Sequence, residues 1–270
     1  MPDNSSPIGL FDSGVGGLTV AAAIRSLLPD ERMIYFGDTA HLPYGDKSRE
    51  TIIRYSLEIV DYLLEKNCKV ILIACNSASS NAYQEVLDHV GNRASVLNVI
   101  DPVVDYIARE EDTGHLGIIG TKATINSNSY PVKISEKKPE LQVSSMSTPL
   151  FVPMIEEGFI FDDISNAIIR SYLSRKEMKD INTLILGCTH YPIIRNQISR
   201  YFNFDVNVLD TPRIVAEELK VILNQKGLLN STPKGIHEFY VSDHTDSFET
   251  IANMFFGEKI NLKKIEITKK

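Results

Sequence analysis

The stretch VILIACNS, residues 70–77, decides the fold of this chain, together with TLILGCTH, residues 183–190. In both stretches an apolar run leads into a cysteine that is followed by two hydrogen-bonding residues. A run of this kind is typical of a strand that is buried on both faces of a parallel sheet. The repetition predicts two similar α/β halves, each with a cysteine just past a buried strand.

The repetition extends to both sides of these stretches. Downstream, VLNVID at residues 96–101 resembles DVNVLD at residues 205–210. Upstream, IGLFDS at residues 8–13 and GIIGT at residues 117–121 precede the two cysteines at similar spacings. Strand, polar turn and strand therefore recur in the same order, which favours an internal duplication.

Short apolar runs alternate with helical patterns along the whole chain, and this alternation predicts an α/β fold with mostly parallel sheets. The helix at residues 51–66 has apolar residues at three- and four-residue spacing. Thr211 and Pro212 are expected to cap and begin a helix that closes near Gly227, and residues 131–142 to form an exposed connection. The lysine-rich end (Lys263, Lys264, Lys269 and Lys270) is expected to be a solvated tail. The predicted strands are residues 8–11, 33–36, 70–74, 96–100, 116–119, 141–144, 183–186, 206–209 and 238–241.

Composition excludes several classes of protein. The chain has 270 residues, 43% hydrophobic and 23% charged, as expected of a globular protein rather than a disordered or fibrous one. Its net charge of −7 argues against nucleic acid as a partner. The longest apolar run, residues 70–75, is far shorter than the roughly 20 residues of a membrane span, and no signal peptide is expected. Three widely separated cysteines argue against a disulfide framework and for a cytoplasmic location.

Cys75 and Cys188 occupy the positions where open α/β sheets bind ligands, just beyond the carboxyl ends of strands. Residues i and i+2 of an extended turn face the same way, so we expect His190 near the thiol of Cys188 and Ser77 near that of Cys75. Polar partners and a helix N-terminus would lower the thiol pKa below its free value of about 8.5. Cys68 is expected to be a structural, buried residue.

The two cysteines could serve redox, metal, nucleophilic or acid–base chemistry. Redox work typically uses a Cys-x-x-Cys pair, which is absent, and only Cys188-x-His190 resembles metal-ligand spacing, so no metal is expected. A thiol hydrolase would use one cysteine and leave the other unexplained. Paired acid–base catalysis uses both, because one thiolate can remove a proton from a carbon while the opposite thiol donates one, which inverts a stereocentre.

The loop FDSGVGGL, residues 11–18, is a second candidate site. It follows an apolar strand and opens a helix, and its glycines let backbone N–H groups approach an anion. Because it lacks the dinucleotide and Walker spacings, a carboxylate is a better ligand than a phosphate chain. Asp12 would orient an ammonium group or assist a proton transfer, or else Asp12 and Ser13 only cap the helix.

Two further segments carry polar groups next to apolar ones. Residues 36–45 follow a strand, and Pro43 and Gly45 set a turn around Tyr44, whose hydroxyl could reach a ligand. In residues 150–158 the carboxylate of Glu156 lies on an apolar segment, where its role is ambiguous between a site and a solvated helix.

Taken together, these segments resemble the cofactor-independent amino-acid racemases of the aspartate/glutamate racemase family, and within it the branch that acts on glutamate. One departure is Ser77, which stands where the family commonly has threonine, so that the hydroxyl is kept. The motifs that carry the resemblance are FDSGVGG at 11–17, PYG at 43–45, ACNSAS at 74–79 and GCTHYP at 187–192.

The resemblance implies two pseudo-symmetric α/β domains, residues 1–98 plus 208–270 and residues 99–207, with glutamate in the cleft between them. It implies that Cys75 takes the α-proton from D-glutamate and Cys188 from L-glutamate, without a cofactor, and that D-glutamate feeds peptidoglycan synthesis. The residues that would tune the thiols are Asp12, Glu156 and His190, with Asp38 a weaker candidate. The residues that would bind substrate are Asp12, Ser13, Tyr44, Gly45, Asn76, Ser77, Thr121, Thr189 and His190.

Two alternatives remain open at this point. A sister enzyme acting on aspartate, hydantoins or maleate shares the two-cysteine plan, and a non-catalytic two-lobed protein that binds an amino acid shares the architecture. Neither a nucleic acid nor a membrane is expected as a partner. The oligomeric state is open, with a homodimer among the options.

Overall fold

The computed structural model describes residues 2–110, 114–231 and 236–267, which contain ten strands and eleven α-helices. The strands are β1 (Ile8–Asp12), β2 (Met33–Gly37), β3 (Val70–Ile73), β4 (Ser95–Asn98), β5 (His115–Gly120), β6 (Gln142–Ser147), β7 (Thr183–Gly187), β8 (Asn207–Val208), β9 (Glu238–Val241) and β10 (Leu262–Lys264). The helices are α1 (Leu18–Leu27), α2 (Arg49–Glu65), α3 (Asn76–Val90), α4 (Asp101–Glu110), α5 (Lys122–Asn126), α6 (Ser129–Lys137), α7 (Phe151–Glu156), α8 (Asp163–Leu173), α9 (Arg195–Tyr201), α10 (Thr211–Gln225) and α11 (Asp246–Phe256).

The strands form two sheets in which every pairing is parallel, so the predicted α/β class is confirmed. The first sheet has the order β10-β9-β2-β1-β3-β4 and the second has the order β6-β5-β7-β8. The order β2-β1-β3-β4 thus recurs as β6-β5-β7-β8, which confirms the repeated plan read from the sequence. The predicted domain boundaries, at residues 98–99 and 207–208, stay a prediction.

Side chains of the first sheet alternate between two apolar layers, as the period-two geometry of a strand requires. In β3, Leu72 packs into the layer formed with α1, α10 and α11, whereas Ile71 and Ile73 pack into the layer formed with α2 and α3. Both layers are closed to solvent, so the strand needs apolar residues on both faces. This requirement explains the uninterrupted apolar run at residues 70–75.

The order of the strands creates a crevice in each sheet. In the first sheet β1 lies between β2 and β3, and in the second β5 lies between β6 and β7. The chain therefore leaves the central strand in one direction and later returns on the other side, which is the arrangement that opens a ligand site beyond the carboxyl ends of the strands. Cys75 follows β3 and Cys188 follows β7, so each thiol lies at such a crevice.

The prediction that residues 131–142 form an exposed connection is wrong. Most of it belongs to α6, and its last residue begins β6. Tyr130 and Ile134 lie four residues apart on one helix face and are buried. Pro131 is tolerated in α6 because it lies in the first helical turn, where a backbone N–H has no intrahelical acceptor.

Two local predictions near the C-terminus also need correction. The cap of α10 is Asp210, whose side chain accepts a hydrogen bond from the backbone N–H of Arg213 at 3.4 Å, and not Thr211. Lys263 and Lys264 belong to β10 at the edge of the first sheet and not to a tail, and Lys264 pairs with Asp243 at 2.7 Å. Lys269 and Lys270 lie outside the described residues. Among the helices of the described ranges, none is long and apolar enough to span a bilayer.

Candidate active site

A cavity of about 230 Å³ lies where the segments after β1, β2, β3, β5, β6 and β7 come together. Both sheets contribute to its wall, and each contributes one cysteine. Two of the candidate residues, Asp12 and Asp38, are not on the wall but lie behind it. The candidate residues that do line the cavity are Ser13, Tyr44, Gly45, Cys75, Asn76, Ser77, Thr121, Glu156, Cys188, Thr189 and His190.

Cys75 stands at the N-cap position of α3 and is almost completely buried. Its Sγ lies 3.6 Å from Oγ of Ser13, which accepts the thiol hydrogen. Burial, and secondly the negative charge of Asp12, raise the pKa of Cys75 to about 12. The expectation of a lowered thiol pKa is therefore wrong for Cys75, because the helix N-terminus does not offset burial next to a carboxylate.

Asp12 ends β1 and is fully buried. Its Oδ2 accepts hydrogen bonds from the backbone N–H groups of Gly17 at 2.9 Å and Gly14 at 3.3 Å. Its Oδ1 finds no hydrogen-bond partner in the described part of the chain. Asp12 therefore orders the glycine loop, and it supplies the negative charge that acts on Cys75. The interpretation of Asp12 and Ser13 as helix caps is wrong, because the N-cap of α1 is Gly17 and no side chain caps this helix.

Cys188 is the first member of a chain of three polar groups. Its Sγ lies 3.8 Å from Nδ1 of His190, and Nε2 of His190 lies 2.9 Å from Oε1 of Glu156, the last residue of α7. The predicted proximity of His190 to Cys188 is confirmed. Ser77, in contrast, directs its hydroxyl to Oγ1 of Thr121 at 2.8 Å, across the gap between the sheets.

The charge of His190 follows from these contacts. Burial alone lowers the pKa of His190, but its hydrogen bonds to Cys188 and Glu156 outweigh burial and raise the pKa to about 10. His190 is therefore an imidazolium at neutral pH, with one N–H directed at the sulfur of Cys188 and the other at the carboxylate of Glu156. A positive charge beside Cys188 stabilises negative charge on that sulfur.

Tyr44 lines the cavity, but its hydroxyl is committed elsewhere. The hydroxyl donates to Oδ2 of Asp38 at 2.6 Å, and Asp38 also interacts with His41 and accepts a hydrogen bond from Ser242. Burial and the charge of Asp38 raise the pKa of Tyr44 well above its usual value. The structure thus differs from the expectation of a hydroxyl that reaches a ligand, and it places Asp38 in a supporting position behind the cavity wall.

Several residues that hold the second cysteine were missed by sequence reasoning. Oγ1 of Thr19, in α1, donates to the backbone carbonyl of Thr189 at 2.9 Å, and the ring of Phe255, in α11, contacts His190 edge-on at 5.2 Å. Gly16 abuts His190 so closely that a Cβ at this position would overlap the imidazole ring. Elements of the first sheet therefore support the Cys188 turn of the second, which no local pattern indicates.

Tyr191 and Thr148 form another missed pair on the cavity wall, with their hydroxyl oxygens 2.7 Å apart. Tyr191 belongs to the motif GCTHYP, in which the sequence alone predicts no role for the tyrosine. Its hydroxyl also donates to the carbonyl of Thr148 at 3.2 Å. The pair ties the turn after β7 to the turn after β6.

Comparison with known proteins bears on what such a cavity does. A sequence model of the family described as Asp/Glu/hydantoin racemase matches residues 18–219. The chain belongs to this racemase family. As a member of it, the protein is an isomerase, and the racemase function predicted from the motifs is confirmed.

Relatives and solved structures narrow the place of the chain within the racemases. It is 40% identical over 258 residues to a glutamate racemase of Chlorobaculum tepidum, covering 95% of this chain and 94% of the relative. It is 42% identical over 258 residues to a glutamate racemase of Geobacter metallireducens, covering 94% and 93%. The crystal structure of glutamate racemase from Francisella tularensis in complex with D-glutamate matches with a TM-score of 0.91 and 38% identity, covering 98% of both chains.

Proposed function

We propose that this racemase interconverts L-glutamate and D-glutamate by a two-thiol mechanism that needs no cofactor. The observation that carries the proposal is the pair Cys75 and Cys188 on the wall of one cavity, one after the equivalent strand of each sheet. Relatives that cover nearly the whole chain at about 40% identity are named glutamate racemases, which supports glutamate as the substrate.

The proposed reaction from L-glutamate begins at Cys188. The thiolate of Cys188, next to the imidazolium of His190, takes the α-proton, and the electron pair of the broken C–H bond stays on the α-carbon. Cys75, which the raised pKa keeps as a thiol, then donates its proton to the opposite face of that carbon. The products are D-glutamate, the thiol of Cys188 and the thiolate of Cys75. The reaction from D-glutamate runs through the same steps in reverse.

The carbanion-like intermediate needs hydrogen-bond donors that are already in place, since an amino-acid α-proton is only weakly acidic. The cavity wall offers the amide of Asn76 and the hydroxyls of Ser77, Thr121 and Thr189. Asn76, Ser77 and Thr189 are buried, and a site that excludes water strengthens every such interaction. They are the proposed contacts of the substrate carboxylates and ammonium group.

Circular dichroism with each amino acid in turn tests the proposal. We expect the signal of L-glutamate to decay to zero in the presence of the purified protein, without added cofactor and with a chelator present. L-aspartate should lose its signal far more slowly. Equal or faster loss with L-aspartate favours the sister-enzyme alternative, and no change with either amino acid favours a non-catalytic binding protein.

In this proposal the enzyme works in the cytoplasm and supplies D-glutamate for peptidoglycan. The three cysteines Cys68, Cys75 and Cys188 are buried and unpaired, which fits a reducing compartment. Independence from nucleic acid and membranes remains a prediction from charge and hydropathy, and a homodimer remains one option for the oligomeric state.

A further inference from the structure

One tyrosine reaches the neighbours of both catalytic cysteines. Tyr130, in α6 beside the second sheet, is buried, and its hydroxyl lies 2.9 Å from Oδ1 of Asn76, the residue after Cys75. Its ring packs on the residue before Cys188, since a Cβ built on Gly187 would lie 3.5 Å from Cε2 of Tyr130. The side chain therefore spans the gap between the two halves of the cavity.

The contact determines which way the amide of Asn76 points. An amide carries one acceptor oxygen and one nitrogen with two donors. The hydroxyl hydrogen of Tyr130 has no acceptor other than Oδ1 of Asn76 in the described ranges, so a flipped amide would leave a buried O–H group unsatisfied. The hydrogen bond therefore holds Oδ1 on the tyrosine and directs Nδ2 away from it.

Nδ2 of Asn76 is a donor group for which the described part of the chain offers no acceptor. It makes no hydrogen bond to any residue that the structure describes, although Asn76 is only 6% exposed and lines the cavity. Nδ2 is therefore open to the cavity, and the polar groups of largely buried side chains nearly always find a partner in the protein, in solvent or in a ligand. An unpartnered pair of N–H groups on the wall of a substrate cavity indicates a ligand atom that accepts, and the glutamate substrate offers carboxylate oxygens.

We propose that Tyr130 is a positioning residue, whose hydroxyl fixes the amide of Asn76 so that Nδ2 donates to a carboxylate of the substrate. The inference rests on the proposed function, because it takes an amino acid with carboxylate groups as the ligand. It adds a role for a residue that touches no substrate atom and acts through its neighbour.

Asn76→Asp tests the direction of the amide. The substitution keeps an oxygen for the hydroxyl of Tyr130 and replaces both N–H donors by a second oxygen that carries negative charge. We expect the KM for L-glutamate to rise about 100-fold, because a charged hydrogen bond is lost and a repulsion is gained. An unchanged or lower KM would mean that Asn76 accepts from the ammonium group, and would overturn the inference.

Tyr130→Phe tests the role of the tyrosine itself. The ring and its packing are kept and only the hydroxyl is lost, so we expect the KM to rise about fivefold with little change in kcat. Tyr172→Phe is the matched control. Tyr172 is also buried and its hydroxyl accepts a hydrogen bond from the backbone N–H of Leu150 at 3.3 Å, but it does not line the cavity. The KM of the Tyr172→Phe variant for L-glutamate should equal that of the unaltered protein.

A double-mutant cycle separates positioning from general destabilisation. In the background of Asn76→Ala, Tyr130→Phe should cause no further rise in KM, because the group through which it acts is gone. The same fivefold rise in both backgrounds, or no rise in either, overturns the inference. Thermal unfolding of each variant confirms that the compared proteins are folded.

The same variants keep the inference separable from the proposed function. If the unaltered protein fails to racemise glutamate, the proposed function fails, and calorimetric binding of D-glutamate then replaces KM in the same cycle. Weaker binding by Tyr130→Phe in the native background only, by about fivefold, would still support the positioning role. If the unaltered protein racemises and Tyr130→Phe matches it in KM, the positioning role alone fails.

Discussion

The Cys75 turn and the Cys188 turn follow equivalent strands of two sheets with the same strand order, yet their electrostatic surroundings are opposite. Cys75 lies close to a buried carboxylate, that of Asp12, and its pKa rises to about 12. Cys188 faces an imidazolium, that of His190, which is itself held by Glu156. The two sheets share a strand order, but the charges beside the two sulfurs have opposite sign.

The difference comes from single positions within the repeat. The end of β1 carries Asp12 where the equivalent end of β5 carries Gly120, and the second residue after the cysteine is Ser77 in one half and His190 in the other. The duplicated backbone sets where each sulfur lies, whereas these differences in sequence set the sign of the charge beside each sulfur. The resting protein thus has a thiol at Cys75, which is the proton donor that the proposed reaction from L-glutamate needs, and a positive charge beside Cys188.

Removing either sulfur should have the largest effect. Cys75→Ser and Cys188→Ser should each lower the rate of racemisation by about 10³-fold, because a serine hydroxyl is far less acidic than a thiol. Circular dichroism with L-glutamate and with D-glutamate measures the rate. Cys68→Ala is the control, since Cys68 is buried away from the cavity and should change stability but not turnover. Turnover near that of the unaltered protein in either serine variant would remove the two-thiol account.

Removing the positive charge of His190 should slow only the proton transfer to and from Cys188. His190→Asn should lower kcat by about 10- to 100-fold. The two enantiomers have equal free energy, so kcat/KM stays equal in both directions and isotope effects must show the asymmetry. The kinetic isotope effect of α-deuteration on the rate should become larger with L-glutamate as substrate, because Cys188 becomes the poorer base. With D-glutamate as substrate it should become smaller. Equal changes for both enantiomers would contradict the assignment of Cys188 to L-glutamate.

Removing the negative charge of Asp12 should instead change the pKa of Cys75 and its proton transfer. Asp12→Asn should lower kcat by about tenfold and should lower the pKa of Cys75, because the carboxylate is one of the two causes that raise it. The pH dependence of alkylation at Cys75, followed by mass spectrometry in the background of Cys188→Ser, measures that pKa. If alkylation of Cys75 has the same pH dependence with and without the substitution, Asp12 does not act on the thiol.

The smallest expected effect concerns Glu156, which contacts His190 and not the sulfur. Glu156→Gln keeps a hydrogen-bond acceptor but loses the charge, so the pKa of His190 should fall from about 10 toward its ordinary value. At neutral pH we expect a loss of turnover of only a few fold, which becomes larger as the pH rises and His190 loses its proton. Nuclear magnetic resonance titration of the His190 ring checks this, and an unchanged titration midpoint would show that Glu156 does not hold the charge.

Much of the architecture could be predicted because strands buried on both faces leave an unmistakable apolar run, as at β3 and β7. The strand β10 could not, since only Leu262 of its three residues is buried and the other two are lysines at a sheet edge. The helix α6 was not predicted because its apolar face consists of only Tyr130 and Ile134, among a proline and several charged residues. An element can therefore be predicted well from local sequence only where it is buried on all sides.

The site divides along the same line between local and distant causes. The proximity of His190 to Cys188 could be predicted because it depends on two residues of one turn. The raised pKa of Cys75 and the contact between Tyr130 and Asn76 depend on packing between segments that are distant in the sequence. Such contacts have no signature in sequence spacing, so the structure was needed to find them.

A crystal structure of this protein with D-glutamate tests the central claim most directly. The account predicts that the two sulfurs lie on opposite faces of the substrate α-carbon, with that of Cys75 on the side of the α-hydrogen and each within about 3.5 Å of the carbon. Both sulfurs on one face, or an amino acid bound away from the cavity between the sheets, would contradict it.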